Sequence, residues 1–282
     1  SRVTRAYDVE RHGPLAVTYG QDFGVVGFGQ SGILLWLIGC ADQARVMVRR
    51  AVETAERLDH AHSLALALAN LCTVHSYLRD TQTLRLTSDR LHALAEKHGF
   101  RYWAVSALIF RAWAAALDDR MEDALVLTRT ALDELPSIGI DEPQPFLHPI
   151  IIEIYLRFGL VEDGLRISSE WEILQEQKRA PWWCESELYR MRAMLMFMRA
   201  PDHPAVETML TRALESARGR RGMALELRAV TALASVWHHR GRTEDARDLL
   251  EDTLDGFTEG HDTPDLIDAR RLLDELTTAP VR

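Results

Sequence analysis

The chain is expected to be all-α, a right-handed α-α solenoid of about six helical hairpins closed by a capping helix. Two observations predict this. Apolar residues recur at three- and four-residue spacing almost throughout, and β-branched alternation is nearly absent. Turn positions also repeat every 40 residues, at Gly39, Arg79, Asp119 and Gly159. Five residues further on stand Ala44, Leu84, Ala124 and Gly164, and seven beyond those Ala51, Leu91, Ala131 and Trp171. Repetition at about 20–50 residues marks a solenoid, in which each unit buries its apolar face only against its neighbours.

Taken in order, Ser1 to Arg11 reads as the end of a helix that starts upstream, so the chain reads as a fragment of a longer protein. Tyr19-Gly20-Gln21-Asp22 follows, in a position to cover one end of a groove. Hairpins are then expected over about residues 25–58, 65–98, 105–138, 145–178, 187–220 and 227–260, with residues 1–282 forming one solenoid domain. Each hairpin reads as a helix, a tight turn, a second helix and a longer connector; His60 and His62 fall on such a connector, at the surface. The fifth hairpin is offset by the Pro201-Asp202-His203-Pro204 turn. In His238-His239-Arg240-Gly241-Arg242-Thr243-Glu244-Asp245, basic residues close one helix and acidic ones open the next, which suits both helix dipoles. Thr263 is placed to N-cap a last helix, about 264–276, with Pro264 in its first position. Asp268, Arg270, Arg271, Asp274 and Glu275 give that helix the polar face of a cap, and Thr277 to Arg282 is expected to fray.

The formal net charge of −9 argues against nucleic acid as the main ligand, since phosphate binding needs a basic face. Arg218, Arg220 and Arg221 read as a solvated loop. Cys40, Cys72 and Cys184 stand at no metal or redox spacing, which suits a reducing cytoplasm. The longest apolar run, Ile33 to Cys40, is far short of a membrane helix.

Small residues recur where paired helices cross: Gly32 with Ala44 and Ala51, Ala112 with Ala124 and Ala131, Ala234 with Ala246 and Thr253. This pattern resembles the tetratricopeptide repeat, with connectors lengthened beyond its period of about 34 residues. Leu84, Leu91 and Trp171 depart from it. The segments RAYDVERHGPLAVTYGQDFGV, LWLIGCADQA, WWCESELYRMRAMLM, ELRAVTALASVW and GFTEGHDTPDLIDARRLLDEL resemble the C-terminal repeat region of large bacterial signalling proteins. In those, an adenylate/guanylate cyclase-like or transcription-factor domain joins a STAND-type ATPase that precedes the repeats. The resemblance implies that this chain senses or docks while upstream domains do the chemistry.

Gly27-Phe28-Gly29-Gln30-Ser31-Gly32 matches G-x-G-x-x-G, but the run from Ala41 to Leu58 is helical and no second strand follows, so a close helix crossing explains the glycines better. There is no phosphate-binding G-x-x-x-x-G-K-[ST] loop and no H-E-x-x-H. His238 and His239, adjacent on a helix, point about 100° apart and cannot share a metal. No catalytic residue, cofactor or metal is therefore expected.

In tetratricopeptide solenoids the first helices line the inner groove, which by repeat position holds Trp36, Tyr77, Trp113, Glu153, Arg157, Arg228 and His238. Aromatic residues and Arg anchor interfaces; packing between repeats is the other reading for the rings, and an i,i+4 pair the other for Glu153 and Arg157. Pro181-Trp182-Trp183 opens a helix carrying Glu185, Glu187 and Arg190, and one of the two Trp is expected to be exposed as a contact. The expected function is a non-catalytic regulatory module that binds a peptide, an upstream domain or a small effector in its groove. The alternative is a scaffold or oligomerisation domain without a small ligand.

Overall fold

The computed structural model describes residues 6–138, 147–178 (171–178 as backbone) and 183–278. These are helical throughout, with no strand among them. They form two compact units: one runs to Pro143 apart from Leu37–Gly39, which fall with the other, Gln144–Arg282. The first holds α1 (Val9–His12), α2 (Leu15–Tyr19) and three hairpins: α3 (Phe23–Leu37) with α4 (Ala41–Leu58), α5 (Ala61–Tyr77) with α6 (Thr81–His98), and α7 (Arg101–Leu117) with α8 (Met121–Glu134). The second holds α9 (Leu147–Arg157) with α10 (Val161–Lys178), α11 (Glu185–Arg199) with α12 (Ala205–Gly219), α13 (Met223–His239) with α14 (Thr243–Leu254), and a final α15 (Pro264–Thr278). No helix among the described residues is long and apolar enough to cross a membrane.

The period of 40 has a backbone cause. Gly39, Arg79, Asp119 and Gly159 all take positive φ, at 87°, 50°, 58° and 67°, and Gly241 does so at 81°. Each is followed by an N–H that reaches five residues back: Cys40 to Leu35 O, Asp80 to His75 O, Arg120 to Ala115 O, Leu160 to Tyr155 O and Arg242 to Trp237 O. That is the Schellman closure, which satisfies carbonyls the helix end leaves open. Glycine adopts this conformation without penalty; Arg79 and Asp119 hold it at a cost of about 1–2 kcal/mol each.

The extra length over a 34-residue repeat lies in the helices, not in the connectors. Between α4 and α5 only Asp59 and His60 intervene, and between α6 and α7 only Gly99 and Phe100. His60 is the N-cap of α5, its ring accepting from Ser63 N–H, while His62 is inside the helix, half-buried and packed against Phe100 and Trp103. The expected surface connector is thus replaced by a capped helix start.

Second helices are amphipathic. In α4, Ala41, Ala44, Val48, Ala51 and Ala55 are buried at three- and four-residue steps, and charged side chains fill the other face. First helices are covered on nearly every side: α5 buries Ala65 and every residue from Ala67 to Tyr77, and α7 buries nearly all of Ala104–Ala116. A helix apolar all round must sit between neighbours. The G-x-G-x-x-G segment lies inside α3, where a Cβ on Gly29 would strike the Asn70 side chain and one on Gly32 would strike Val48. Those glycines serve close helix crossings.

At the start, the helix expected to run to Arg11 breaks at Tyr7 and Asp8. The Asp8 carboxylate accepts the N–H groups of Glu10 and Arg11 and caps α1. Asp22, expected to cover a groove end, is buried instead: it accepts from Val25 N–H at 2.8 Å and from the Tyr7 hydroxyl at 2.9 Å. Pro264 opens α15, whose Leu266, Ala269 and Leu276 face inward.

Gly32→Leu should lower stability by about 1–3 kcal/mol, because the side chain must displace Val48 or part the helices. Urea midpoints at constant slope measure it; an unchanged midpoint would mean that α3 and α4 do not need this approach.

Candidate functional site

Within the second unit the first helices of successive repeats, α9, α11, α13 and α15, pack side by side. Glu153, Arg190, Arg228 and Asp265 stand on them at steps of 37 and 38 residues. This equivalence builds a ladder of alternating charge. Arg190 Nη2 donates to Glu153 Oε2 at 3.1 Å. Arg190 Nε and Nη2 both donate to Glu187, each at 2.9 Å. Arg228 Nη1 donates to Glu187 Oε2 at 3.0 Å, and its Nε donates to Asp265 Oδ2 at 2.7 Å. Five charged groups thereby link four helices.

Glu187 is the hub, with no exposed surface. Burial alone would raise its carboxyl pKa, but the guanidiniums of Arg190 and Arg228 outweigh burial and hold it at about 2. Burial lowers the pKa of Arg190 and Arg228, but the carboxylates outweigh it and raise both, Glu187 and Glu153 for Arg190, and Asp265, Glu187 and Glu153 for Arg228. Three carboxylates face two guanidiniums, so the ladder carries a net charge of −1. Its most open members are the end carboxylates: the side chains of Glu153 and Asp265 are 26% and 17% exposed.

Two smaller clusters brace this unit. Glu185 accepts from Ser216 at 2.8 Å and pairs with Arg220, and the Arg212 guanidinium stacks on Tyr189 while donating to its hydroxyl, so α11 is tied to α12. Glu207 accepts from Trp237 Nε1 at 2.7 Å and pairs with Arg240 and Arg242, the latter lying over the Trp237 ring. Arg218, expected to be solvated, pairs with Glu226 at 2.6 Å.

The sequence-derived candidates divide by unit. Glu153, Glu187, Arg190 and Arg228 meet in the ladder. Glu153 pairs across helices with Arg190, and Arg157, on the same helix as Glu153, is exposed. Asp265 was not among the candidates. Its signal was present: it lies 37 residues after Arg228, as Arg190 lies 37 after Glu153. His238 Nδ1 lies 3.1 Å from Thr243 Oγ1, at the hairpin turn. Trp182 lies outside the described residues; Trp183 is half-buried.

In the first unit, Trp36, Tyr77 and Trp113 come together but do not line an open groove. They are only 3%, 4% and 4% exposed. Trp36 stacks on Tyr77 with centroids 4.2 Å apart, and Trp113 Nε1 donates to Ser76 O at 3.0 Å. Aromatic area of this size is driven into the contact between helices, and the indole N–H finds a backbone partner there. Cys72 and Cys184 are also fully buried, which pushes both thiols up and keeps them protonated.

Glu187→Gln should lower stability at pH 7 by about 1–3 kcal/mol, because the charge-assisted bonds from Arg190 and Arg228 to Glu187 are weakened while Glu153 and Asp265 still pair with the two guanidiniums. The depressed carboxyl pKa fixes the sign with pH: its contribution is whole above the unfolded value of about 4.3 and is lost as pH falls towards about 2. Denaturation at pH 7 and in acid should therefore bring wild type and variant together at low pH. A constant gap between them would rule out an ionised Glu187 as the hub.

No family model matches the chain. An uncharacterised protein of Rhizobium meliloti (strain 1021) is 26% identical over 213 residues, 74% of this chain and 20% of that protein. The chain thus spans about a fifth of the length of this curated relative. A Rap protein, solved in complex with competence and sporulation factor, is similar with a TM-score of 0.56 at 14% identity, over 89% of this chain and 74% of its own. Yeast Tom70 is similar with a TM-score of 0.50 at 15% identity, over 90% of this chain and 54% of its own. These likenesses establish the fold as a tetratricopeptide-type helical solenoid.

Proposed function

We propose that this chain is a non-catalytic interaction module of a larger signalling protein. It binds a peptide segment or small effector on the face that α9, α11, α13 and α15 present. The observation that carries the reading is the ladder: four first helices place charged groups at equivalent positions, with the more open carboxylates at its ends. A bound segment crossing these helices meets the Glu153 and Asp265 carboxylates, while Glu187, Arg190 and Arg228 hold the helix spacing. The buried rings of Trp36, Tyr77 and Trp113 set the packing of the first unit and act on binding only through it.

The solenoid fold shared with the Rap protein, solved in complex with competence and sporulation factor, supports a protein or peptide partner. The Rhizobium relative, of which this chain spans a fifth, is long enough to carry further domains. That supports the likeness to repeat regions that follow STAND-type ATPase and cyclase-like domains in cytoplasmic signalling proteins. Binding then acts on those domains through a difference in affinity between two arrangements of the repeats.

The test is selection of binders from a random peptide library, followed by hydrogen exchange on the complexes. Protection is expected on α9, α11, α13 and α15, with binding weakened by Glu153→Gln and Asp265→Asn. Protection confined to the second helices α10, α12 and α14 would sink this assignment.

A second reading, self-association, is favoured by the exposed side chains of Leu15, Val17, Tyr19 and Phe23, with Val17 82% exposed. Sedimentation over a wide concentration range should then reveal a dimer that Val17→Lys abolishes. A monomer at every concentration removes this reading.

A further inference from the structure

The first unit carries a cleft of about 540 Å³ that the ladder does not use. One wall is the outer face of α4, which presents Val46, Arg49, Arg50, Glu53 and Arg57; Phe28 and Tyr7 close the other side. The three arginines are exposed, and so is Val46. Arg50 lies flat over the Phe28 ring, 4.3 Å from its centroid. Neighbouring arginines are neutralised: Arg45 by Asp42 and Arg90 by Glu56. Arg49, Arg50 and Arg57 have no ion pair among the described residues. These guanidiniums gather on one helix face of a chain whose net charge is −9. They form a local field that attracts carboxylates.

We propose that this cleft is a second docking site, taking an extended acidic peptide segment of a protein partner. It is independent of the ladder, which lies in the other unit. Openness argues for a peptide over a small molecule, because small-ligand pockets enclose most of their ligand. Spacing adds a specificity. Arg50 and Arg57 lie seven residues apart, about 10.5 Å along the helix. Acidic side chains two or four residues apart in an extended segment share one face, about 7 or 13 Å apart, and flexible Arg side chains bridge either interval. Glu53 stands between the two arginines and repels a third carboxylate. The favoured segment therefore alternates acid, spacer, base, spacer, acid, with its charged side chains turned to α4 and its spacers turned away.

The experiment is fluorescence anisotropy at low salt with labelled Asp-Thr-Lys-Thr-Asp and the charge-reversed Lys-Thr-Asp-Thr-Lys. The first should bind saturably and the second not. Arg50→Glu/Arg57→Glu should weaken binding about tenfold or more, with the melting temperature confirming the fold. Arg57→Glu alone, which leaves Arg50 on Phe28, should weaken it to a smaller extent. Glu53→Gln should raise affinity for Asp-Thr-Asp-Thr-Asp above that of wild type. Equal binding of the reversed peptide, no saturable binding, or indifference to the arginine changes would overturn the proposal. So would competition by free succinate at the peptide's own concentration, which would make the cleft a site for small dicarboxylates.

Discussion

Everything in this fold depends on how closely the two helices of a hairpin approach. At Gly32 the α3 backbone lies against Val48 and the Ala44 carbonyl, and no side chain intervenes. At Gly164 the α10 backbone lies against Leu195 and Tyr155. Ala124 and Ala246 fill the matching place in other hairpins and are fully buried. Dispersion gains only at contact distance, so a wider crossing would forfeit packing along the whole helix pair. It would also shift each first helix relative to the next and spoil the register on which the ladder rests.

The ladder illustrates how such a scaffold carries charge into its interior. A buried carboxylate is tolerated at Glu187 because three N–H donors on two guanidiniums surround it. Ion pairs of this kind add little net stability over apolar residues of the same shape, yet become costly once a partner is removed. Their value here is positional. Hydrogen bonds with fixed directions hold α9, α11, α13 and α15 in one register, where apolar contacts alone tolerate sliding.

Much of the architecture was legible because the turn that repeats every 40 residues leaves a mark in the sequence: a left-handed residue favours Gly or a short polar side chain, as at Gly39, Asp119 and Gly159. Connector length was misjudged because a helix start capped by His60 resembles loop composition. Glu153 and Arg228 were recognised by repeat position, Glu187 and Arg190 by the helix that Pro181-Trp182-Trp183 opens. Their pairing was not, since the i,i+4 rule sees only one helix and the partner of Glu153 is 37 residues away. Asp265 stands on the capping helix, outside the six hairpins over which repeat positions were compared. Trp36, Tyr77 and Trp113 were placed on the right helices, but periodicity does not distinguish an inner face from a packed one when alanines make the helix apolar all round.

The short reach of the ladder has a consequence for synthesis. Its links join groups 37 to 41 residues apart, so each rung closes one repeat after its first half emerges from the ribosome. The chain can therefore dock hairpin by hairpin while it is still being made. Glu187 is the weak moment in that order. Arg190 serves it at once, but Arg228 arrives a full repeat later, and in the interval a carboxylate destined for the interior stands half neutralised at the growing edge.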